Sequence, residues 1–181
     1  MQGLDIHTGS AEVLEGYGPF DVVILSHVLE HVASPIKFMY LVNRLIQPGS
    51  LLYVELPGIM DISMGRYRND FLRYLRVQHT FSYSLGTLTN LVESRGFRLL
   101  RGDKWVHALF VYEGEPPQLM GPLETEYEKT MHYLRRIERR RWLYPAFIAY
   151  VALRRSAVGS GMVSMLDAVG MRQPLKRLLR R

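Results

Sequence analysis

The sequence predicts an α/β fold in which helices cover a largely parallel sheet. Two short apolar runs, FDVVILS at 20–26 and SLLYVELP at 50–57, are bounded by turn residues, which is typical of strands buried on both faces. The segment between them has helical periodicity. A strand, a helix and a strand in so short a stretch indicate a βαβ crossover, so we expect the two strands to be parallel.

The first half of the chain divides at its turn signals. Residues 3–7, GLDIH, are a candidate short strand, and a glycine-rich loop follows up to Pro19. In the crossover helix, Ser34 is the expected N-cap and Pro35 the first helical residue, and the turn at 47–49 ends the helix. The apolar stripe of this helix consists of Phe38, Leu41, Val42, Leu45 and Ile46.

The middle of the chain begins with a polar, aromatic stretch at 58–78, which we expect to be an excursion over the sheet edge. Residues 84–95 then form a helix capped by Ser84. Two further strands, 97–103 and 104–114, are predicted to form a hairpin across the Gly102-Asp103 turn. The inward-facing residues of the helix are Leu85, Leu88, Leu91 and Val92.

Charge divides the chain into two parts. Residues 1–121 hold 10 Lys/Arg and 12 Asp/Glu, a net charge of −2, whereas residues 122–181 hold 13 and 5, a net charge of +8. In the second part, a long helical pattern at 123–155 breaks near Pro145, and an amphipathic segment follows a glycine-rich hinge at 158–162. We therefore expect a partial α/β domain over 1–121 and a basic helical extension over 122–181.

The basic extension can be interpreted in several ways. Solvated arginine faces, or packing on the domain or on a second subunit of a homodimer, explain the charge without a ligand. An anionic membrane surface would hold Trp142 and Tyr144 at headgroup level, as a peripheral contact. A nucleic-acid partner is not expected, because neither base-stacking platforms nor a recognised binding motif accompany the charge.

Composition excludes several classes of protein. Cysteine is absent, so disulfides, thiolate zinc sites and cysteine nucleophiles are excluded, and a reducing cytoplasm is compatible with the sequence. The start, MQGLDIHTGS, does not have the regions of a signal peptide. Because no uncharged apolar run reaches the ~20 residues of a spanning helix, we expect a cytoplasmic protein whose membrane contact is at most peripheral.

Polar side chains follow both apolar runs, where each predicted strand ends. Ser26, His27, Glu30 and His31 come after the first run, and Glu55 ends the second. Ligands of open parallel sheets bind at the carboxyl ends of the strands, so these residues are candidates for a site. The alternative is that Glu30 and His31 cap the next helix and hydrogen-bond the backbone, whereas two imidazoles at a strand end, His27 and His31, favour general-base chemistry near neutral pH.

The stretch FDVVILSHVLEHVASPIKFMYLVNRLIQPGSLLYVELPG resembles the second half of a class I S-adenosylmethionine-dependent methyltransferase. In that family the fourth strand is followed by a loop of the type hvLEHv, a helix ending in L-x-PGG and a fifth strand with a glutamate and a proline. Here Ser50 stands in place of the second glycine. HTFSYSLGTLTNLVESRGFRLL is similar to the helix and sixth strand that follow, and the resemblance covers about residues 3–113.

The resemblance implies a sheet of order 3-2-1-4-5-7-6, but the family's glycine-rich cofactor loop and the acidic residue ending its second strand are absent. This chain would therefore supply strands three to seven without the first two, leaving the edge of strand four unpaired. Buried unpaired backbone groups cost about 1–3 kcal/mol each. Two interpretations remain. The chain is either the carboxyl-terminal part of a longer methyltransferase, which we favour, or a degenerate relative in which another segment takes the place of the missing strands.

The resemblance also implies site residues. Ser10 and Ala11 match the positions that contact the adenine of S-adenosylmethionine, while Ser26 and His27 match those at its methionine end. His31 is the first candidate for a base that deprotonates an acceptor hydroxyl, His79 is the second, and Glu55 could orient the acceptor. For Ser10 an ordinary loop position, and for His79 a structural hydrogen bond, are the alternatives.

The insertion RYRNDFLRYLRVQHTF is similar to that of enzymes associated with cell-surface polysaccharides, which implies a hydroxyl on a sugar or other small metabolite as acceptor. A solvated loop face is the alternative. No His, Asp or Glu set has metal-ligand spacing on one element, so no metal is expected. The candidate acceptor-binding residues are Tyr67, Arg68, Asp70, Arg73 and Tyr74.

The sequence therefore predicts the carboxyl part of a class I methyltransferase with S-adenosylmethionine as its cofactor. The rival interpretation is a non-catalytic Rossmann-like binding or scaffold module, which would use its basic tail to hold a membrane or a protein partner.

Overall fold

The chain divides into two compact units, Met1–Asp61 with Leu75–Met131, and Ile62–Tyr74 with His132–Arg181. The computed structural model describes residues 3, 5–62, 64–114 and 125–155. The predicted boundary between residues 121 and 122 lies outside the described residues, as do the hinge at 158–162 and the amphipathic segment after it.

The first unit contains a mixed sheet. Among the described residues the strand order is β1-β2-β4-β3, with β1 parallel to β2 and the other two pairings antiparallel. This is the 4-5-7-6 portion of the expected order, so the predicted α/β class and the predicted hairpin are confirmed. The strands are β1 Phe20–Ser26, β2 Ile46–Glu55, β3 Phe97–Gly102 and β4 His107–Tyr112.

In the described part of the chain, one helix separates β1 from β2, three helices separate β2 from β3, and two helices follow β4. Short 3₁₀ turns at Ala11–Leu14, Ile59–Asp61 and Arg141–Leu143 complete the described elements. The α-helices are α1 Pro35–Arg44, α2 Met64–Tyr67, α3 Phe71–Tyr74, α4 Leu85–Glu93, α5 Glu126–Arg140 and α6 Tyr144–Arg155. The break predicted near Pro145 is the turn between α5 and α6.

The crossover from β1 to β2 begins as predicted and ends earlier than predicted. Ser34 is the N-cap of α1, although its side chain makes no capping hydrogen bond, and Pro35 is the first helical residue. The helix ends at Arg44, and the expected turn at 47–49 lies inside β2. There the pairing with β1 shifts register, and the Ser50 hydroxyl donates to the Phe20 carbonyl at 2.8 Å.

Packing in the first unit follows the predicted apolar stripes. Ser84 caps α4 in a reciprocal capping box with Thr87, which satisfies two backbone N–H groups of the first turn. The stripe predictions missed Met39, which is fully buried in α1. The core is built from all four strands and both crossover helices: Leu25, Leu29, Met39, Val42, Leu52, Val54, Leu88, Val92, Phe97 and Phe110.

The prediction that β1 is buried on both faces is wrong. Leu25 is buried, whereas Val22 and Ile24 on the other face are 53% and 65% exposed. The described residues leave this face of β1 largely uncovered, and β1 also lies at the edge of the described sheet, with β2 on one side only. The β-branched side chains of Val22 and Ile24 therefore form an exposed apolar surface, although the sequence of β1 is typical of a buried strand.

The strand predicted at 3–7 is not formed by its described residues, Gly3 and Asp5–His7. In the order 3-2-1-4-5-7-6 such a strand pairs only with strand two, which the described residues do not contain. Without that partner its backbone groups would gain no ladder hydrogen bonds, and Ile6 is 81% exposed.

The second unit is held together by arginine contacts between its two segments. The Asp70 carboxylate lies 3.2 Å from the Arg141 guanidinium and also accepts from the N–H of Leu72 in α3. Arg68 lies over the Tyr144 ring, 4.7 Å from its centroid. Residues 62–74 of the predicted excursion thus belong to the same unit as α6. No helix among the described residues is long and apolar enough to span a membrane.

A pair of substitutions in β1 tests the one-sided burial of this strand. Leu25→Ala should lower the free energy of unfolding by about 2–5 kcal/mol, because it removes a buried side chain. Ile24→Thr, at the adjacent exposed position, should change it by less than about 0.5 kcal/mol. Urea unfolding followed by circular dichroism measures both values. An equal loss in the two variants would show that the outer face of β1 is covered.

Candidate active site at the carboxyl ends of β1 and β2

The loop after β1 is attached to the end of β2 by its first residue. The His27 N–H donates to the Glu55 carbonyl at 2.9 Å, which continues the parallel ladder one residue beyond β1. His27 itself has φ +54, a left-handed conformation that is uncommon outside glycine. Its ring is about half exposed, at 51% of the side-chain surface. The predicted strand-end position of His27 is therefore an accessible one.

Glu30 is the buried acid of the site. Only 2% of Glu30 is exposed, and its Oε1 lies 3.1 Å from His27 Nδ1. Oε2 has no hydrogen-bond partner among the described residues. The backbone carbonyl of Glu30 accepts from the N–H of Thr80 at 2.7 Å. Glu30 does not cap α1, whose N-cap is Ser34, so the capping alternative for this residue is wrong.

His31 and His79, which are distant in sequence, lie side by side. Their ring centroids are 4.9 Å apart in an edge-to-face arrangement. His31 Nδ1 lies 2.9 Å from the Gln78 carbonyl oxygen, which can only accept, so Nδ1 carries the proton in the neutral ring. His31 Nε2 is then unprotonated and lies 3.8 Å from Glu30 Oε1. The structure thus brings together both predicted base candidates.

Burial and the Glu30 charge affect the titration of two neighbouring groups. The pKa of His79 lies below its ordinary value mainly because burial disfavours the imidazolium, and Glu30 partly opposes this effect. Burial, reinforced by Glu30, raises the pKa of Tyr83 to about 12. Both groups are therefore neutral near pH 7.

A second histidine–carboxylate pair was not predicted from the sequence. His107, the first residue of β4, has its Nδ1 3.0 Å from Asp103 Oδ2, and its Nε2 lies 3.8 Å from Glu55 Oε1. Burial opposes ionisation of Asp103, but hydrogen bonds from the His107 N–H and ring outweigh it, so the pKa of Asp103 is lowered. The D-x-x-x-H spacing across a hairpin turn was the available signal.

Glu55 joins the two pairs into one network. Its Oε1 lies 3.9 Å from His27 Nε2 as well as 3.8 Å from His107 Nε2. Because Glu55 ends β2, which lies between β1 and β4 in the sheet, its side chain is central among these groups. The prediction that Glu55 belongs to the strand-end cluster is consistent with this geometry.

The positions matched to the cofactor lie at two places in the first unit. Ser26 is exposed at the end of β1, beside His27. Ser10 is the N-cap of the turn Ala11–Leu14. The Ser10 hydroxyl hydrogen-bonds Glu12, which is the main cause of the lowered pKa of that carboxyl group. The predicted adenine contact of Ser10 and Ala11 remains a prediction.

The predicted acceptor residues lie in the second unit, and two of them favour a structural role. Tyr74 is 2% exposed, and its ring packs edge-to-face against Tyr67 at 5.5 Å. Asp70 is buried and ion-paired with Arg73 and Arg141. An acceptor role for Tyr67, Arg68 and Arg73 remains a prediction.

Three residues of the site carry ligand atoms that are close enough to share a cation. Atoms of Glu30, His31 and His79 all lie within 4.8 Å of one another. The expectation of no metal considered ligand sets on single elements, whereas this set combines two segments that are remote in sequence. A hard or borderline divalent ion would suit one carboxylate and two imidazoles.

A groove of about 810 Å³ lies elsewhere, along the outer side of α1. Lys37, Phe38, Tyr40 and Asn43 are among its lining residues. None of the predicted site residues lines it, so the groove does not bear on the chemistry of the strand ends.

The titration of His79 predicts how stability depends on pH. The folded-state pKa of His79 lies below the unfolded value of about 6.5. Its contribution to the free energy of unfolding is therefore complete above about pH 6.5 and is lost as the pH falls toward the folded-state pKa. His79→Gln should therefore narrow the stability difference between about pH 8 and about pH 5.5. Urea unfolding measures this, with His132→Gln as the exposed control. An unchanged pH dependence in His79→Gln would contradict the lowered pKa that partial burial gives this imidazole.

Comparison with known proteins agrees with this geometry. A family described as methyltransferase domain matches residues 4–101, more than half of the chain. Two curated relatives are the ubiquinone biosynthesis O-methyltransferases of Caulobacter vibrioides and Caulobacter sp. strain K31, each 47% identical over 57 residues. Each alignment covers 29% of this chain and 23% of the relative, so the chain spans less than a quarter of the relatives' length. The resemblance drawn from the sequence is confirmed: the chain belongs to the methyltransferase-domain family, whose methyl donor is S-adenosylmethionine.

Proposed function

We propose that this chain contributes the catalytic-base side of an S-adenosylmethionine-dependent O-methyltransferase. The observation that carries the proposal is the buried Glu30 carboxylate between His27 and His31, at the ends of two parallel strands and inside the family match. The two curated relatives are named O-methyltransferases, which supports a hydroxyl acceptor. The family match does not favour the rival, a non-catalytic scaffold module.

His31 is the proposed general base. Methylation of a hydroxyl requires that its proton leaves as the new O–C bond forms. The Gln78 carbonyl holds the proton of His31 on Nδ1, so Nε2 has a free lone pair to accept the acceptor's proton. The imidazolium that results would be stabilised by Glu30, whose Oε1 lies 3.8 Å from Nε2. His79, kept neutral by burial, is the second candidate.

Glu30 and Glu55 are proposed to orient the groups around this base. Glu30 accepts from His27 Nδ1, which fixes the ring of His27 with Nε2 directed toward Glu55. Glu55 is partly exposed and lies between His27 and His107, where it could accept a hydrogen bond from an acceptor hydroxyl. Asp103 orients His107 in the same manner as Glu30 orients His27.

The described residues fit only part of the cofactor. Ser26 and His27 are accessible at the end of β1, where they would contact its methionine end, and Ala11 would meet the adenine through its backbone N–H. When bound, the cofactor supplies a methyl group on a positively charged sulfur. The described residues contain no glycine-rich turn after a strand and before a helix, the usual support for its remainder.

We also propose that β1 pairs with a further strand in the complete enzyme. The support is the apolar outer face of β1, with Val22 and Ile24 more than half exposed, and its unpaired edge in the described sheet. A strand there would satisfy the N–H and C=O groups of this edge and bring a cofactor loop beside His27. The acceptor is proposed to be a hydroxyl of a sugar or another small metabolite, as in cell-surface polysaccharide synthesis.

Titration calorimetry with S-adenosylhomocysteine tests the cofactor account. The 181-residue chain should bind it weakly or not at all, whereas the chain extended by its in-frame upstream sequence should bind it and transfer a labelled methyl group. In the extended enzyme, His31→Asn should lower kcat by roughly 10²–10⁴-fold, because the base is lost. His132→Asn, outside the site, is the control.

Three results would count against these proposals. Low-micromolar binding by the 181-residue chain would contradict the need for a further strand. A stop codon upstream of Met1, without an in-frame V-L-D-x-G-x-G-x-G segment, would contradict the longer enzyme. An unchanged kcat in His31→Asn would remove this residue from the base role.

A further inference from the structure

One face of α5 carries exposed arginines in line with a histidine and a tryptophan. His132, Arg135, Arg139 and Trp142 are spaced by three, four and three residues, which places them along one side of the helix and of the turn that follows it. All four are exposed. Arg135, Arg136 and Arg139 form no ion pair within the part of the chain that the structure describes. This part of the face therefore presents arginine charge that no described acidic side chain pairs with, and the exposed Glu128 lies one turn before His132.

The described part of the second unit contains few acidic side chains. Residues 62–74 and 132–155 contain ten arginines and two acidic residues, Asp70 and Glu138. Both acids are paired with one arginine, Arg141, at 3.2 Å and 3.1 Å. These two segments are therefore strongly cationic, and Arg135, Arg136 and Arg139 on α5 have no described ion-pair partner.

Exposed apolar residues continue directly from the cationic line. Trp142, at the end of the line, is 74% exposed. Among the α6 side chains that the structure describes, the exposed ones are apolar: Ile148, at 45% exposure, with Pro145, Ala146, Ala149 and Ala152. The helix has 12 residues, too few to cross a bilayer.

We propose that α5 and α6 form a surface that binds an anionic lipid bilayer from one side. Arg135 and Arg139 would contact lipid phosphates, and Trp142 would lie at the level of the headgroups, where its amphipathic ring is favoured. The apolar side chains of α6 would enter the boundary between headgroups and acyl chains. Nucleic acid would satisfy the arginines but would leave the apolar part of the surface exposed to water.

This membrane surface is independent of methyl transfer and of the completion of the sheet. An anionic bilayer presents phosphates beside an apolar layer. These match the arginines of α5 and the neighbouring apolar side chains of α6. A peripheral location at an anionic membrane follows from this match.

Vesicle sedimentation of the full chain tests the cationic part of the surface. The chain should bind vesicles of phosphatidylcholine mixed with phosphatidylglycerol, bind phosphatidylcholine alone much more weakly, and dissociate as salt rises. R135Q/R139Q should weaken binding roughly thirtyfold, since each arginine near such a surface contributes a factor of about five. The control R98Q/R101Q removes the same charge from β3 and should bind as the unchanged chain does.

Fluorescence of Trp142 tests the apolar part. The sequence has two tryptophans, so W105F leaves Trp142 as the reporter, and its emission should shift to shorter wavelength on anionic vesicles. Absence of binding, equal weakening in the two double variants, or an unshifted Trp142 would each overturn the proposal. So would binding to a DNA duplex at a salt concentration where the vesicles are not bound.

Discussion

A carboxylate that is almost fully removed from water is the constraint on which the candidate site depends. Glu30 is 2% exposed, so its carboxyl oxygens depend on neighbouring groups rather than on solvent for hydrogen bonds. Its side chain bonds His27, its charge faces His31, and its backbone carbonyl receives the N–H of Thr80. Through these contacts one residue joins the loop after β1 to the segment that carries His79.

The unpartnered Oε2 of Glu30 gives this arrangement a functional meaning. A buried polar atom without a hydrogen bond costs about 1–3 kcal/mol, and among the described residues Oε2 is the atom of this kind that lies beside the two histidines. Such costs are concentrated at active sites, where groups are kept ready for a ligand or for a charge that develops during reaction. An imidazolium at His31 would be a charge of this kind.

The sequence predicted the local elements well because each had its own signal. Ser34-Pro35, the Ser84 cap and the Gly102-Asp103 turn fixed element positions without tertiary information. The burial of β1 could not be predicted in this way. An apolar run indicates that a strand is suited to burial, but it does not indicate whether another segment is present to cover it. Strand formation at 3–7 failed for the same reason, since it requires a partner strand.

Site prediction reached the residues that follow the strands and missed those set by tertiary contacts. Ser26, His27, Glu30, His31 and Glu55 could be grouped because strand ends meet at one edge of a parallel sheet. The Asp103–His107 pair enters the site through an antiparallel hairpin, so no strand-end rule points to it. The contact of His31 with His79 depends on how a long connection returns to the sheet, which periodicity does not encode.

The central claim is that Glu30 and the Gln78 carbonyl hold His27 and His31 with their protons on Nδ1 and their Nε2 atoms free. Long-range ¹H–¹⁵N correlation spectra of the purified chain, recorded where both rings are neutral, report the tautomer of each histidine directly. We expect the Nδ1–H tautomer for both rings in the unchanged chain. In Glu30→Gln, His31 should keep Nδ1–H, because its partner is the backbone carbonyl of Gln78, which the substitution does not alter. An Nε2–H tautomer for either ring in the unchanged chain would contradict the central claim.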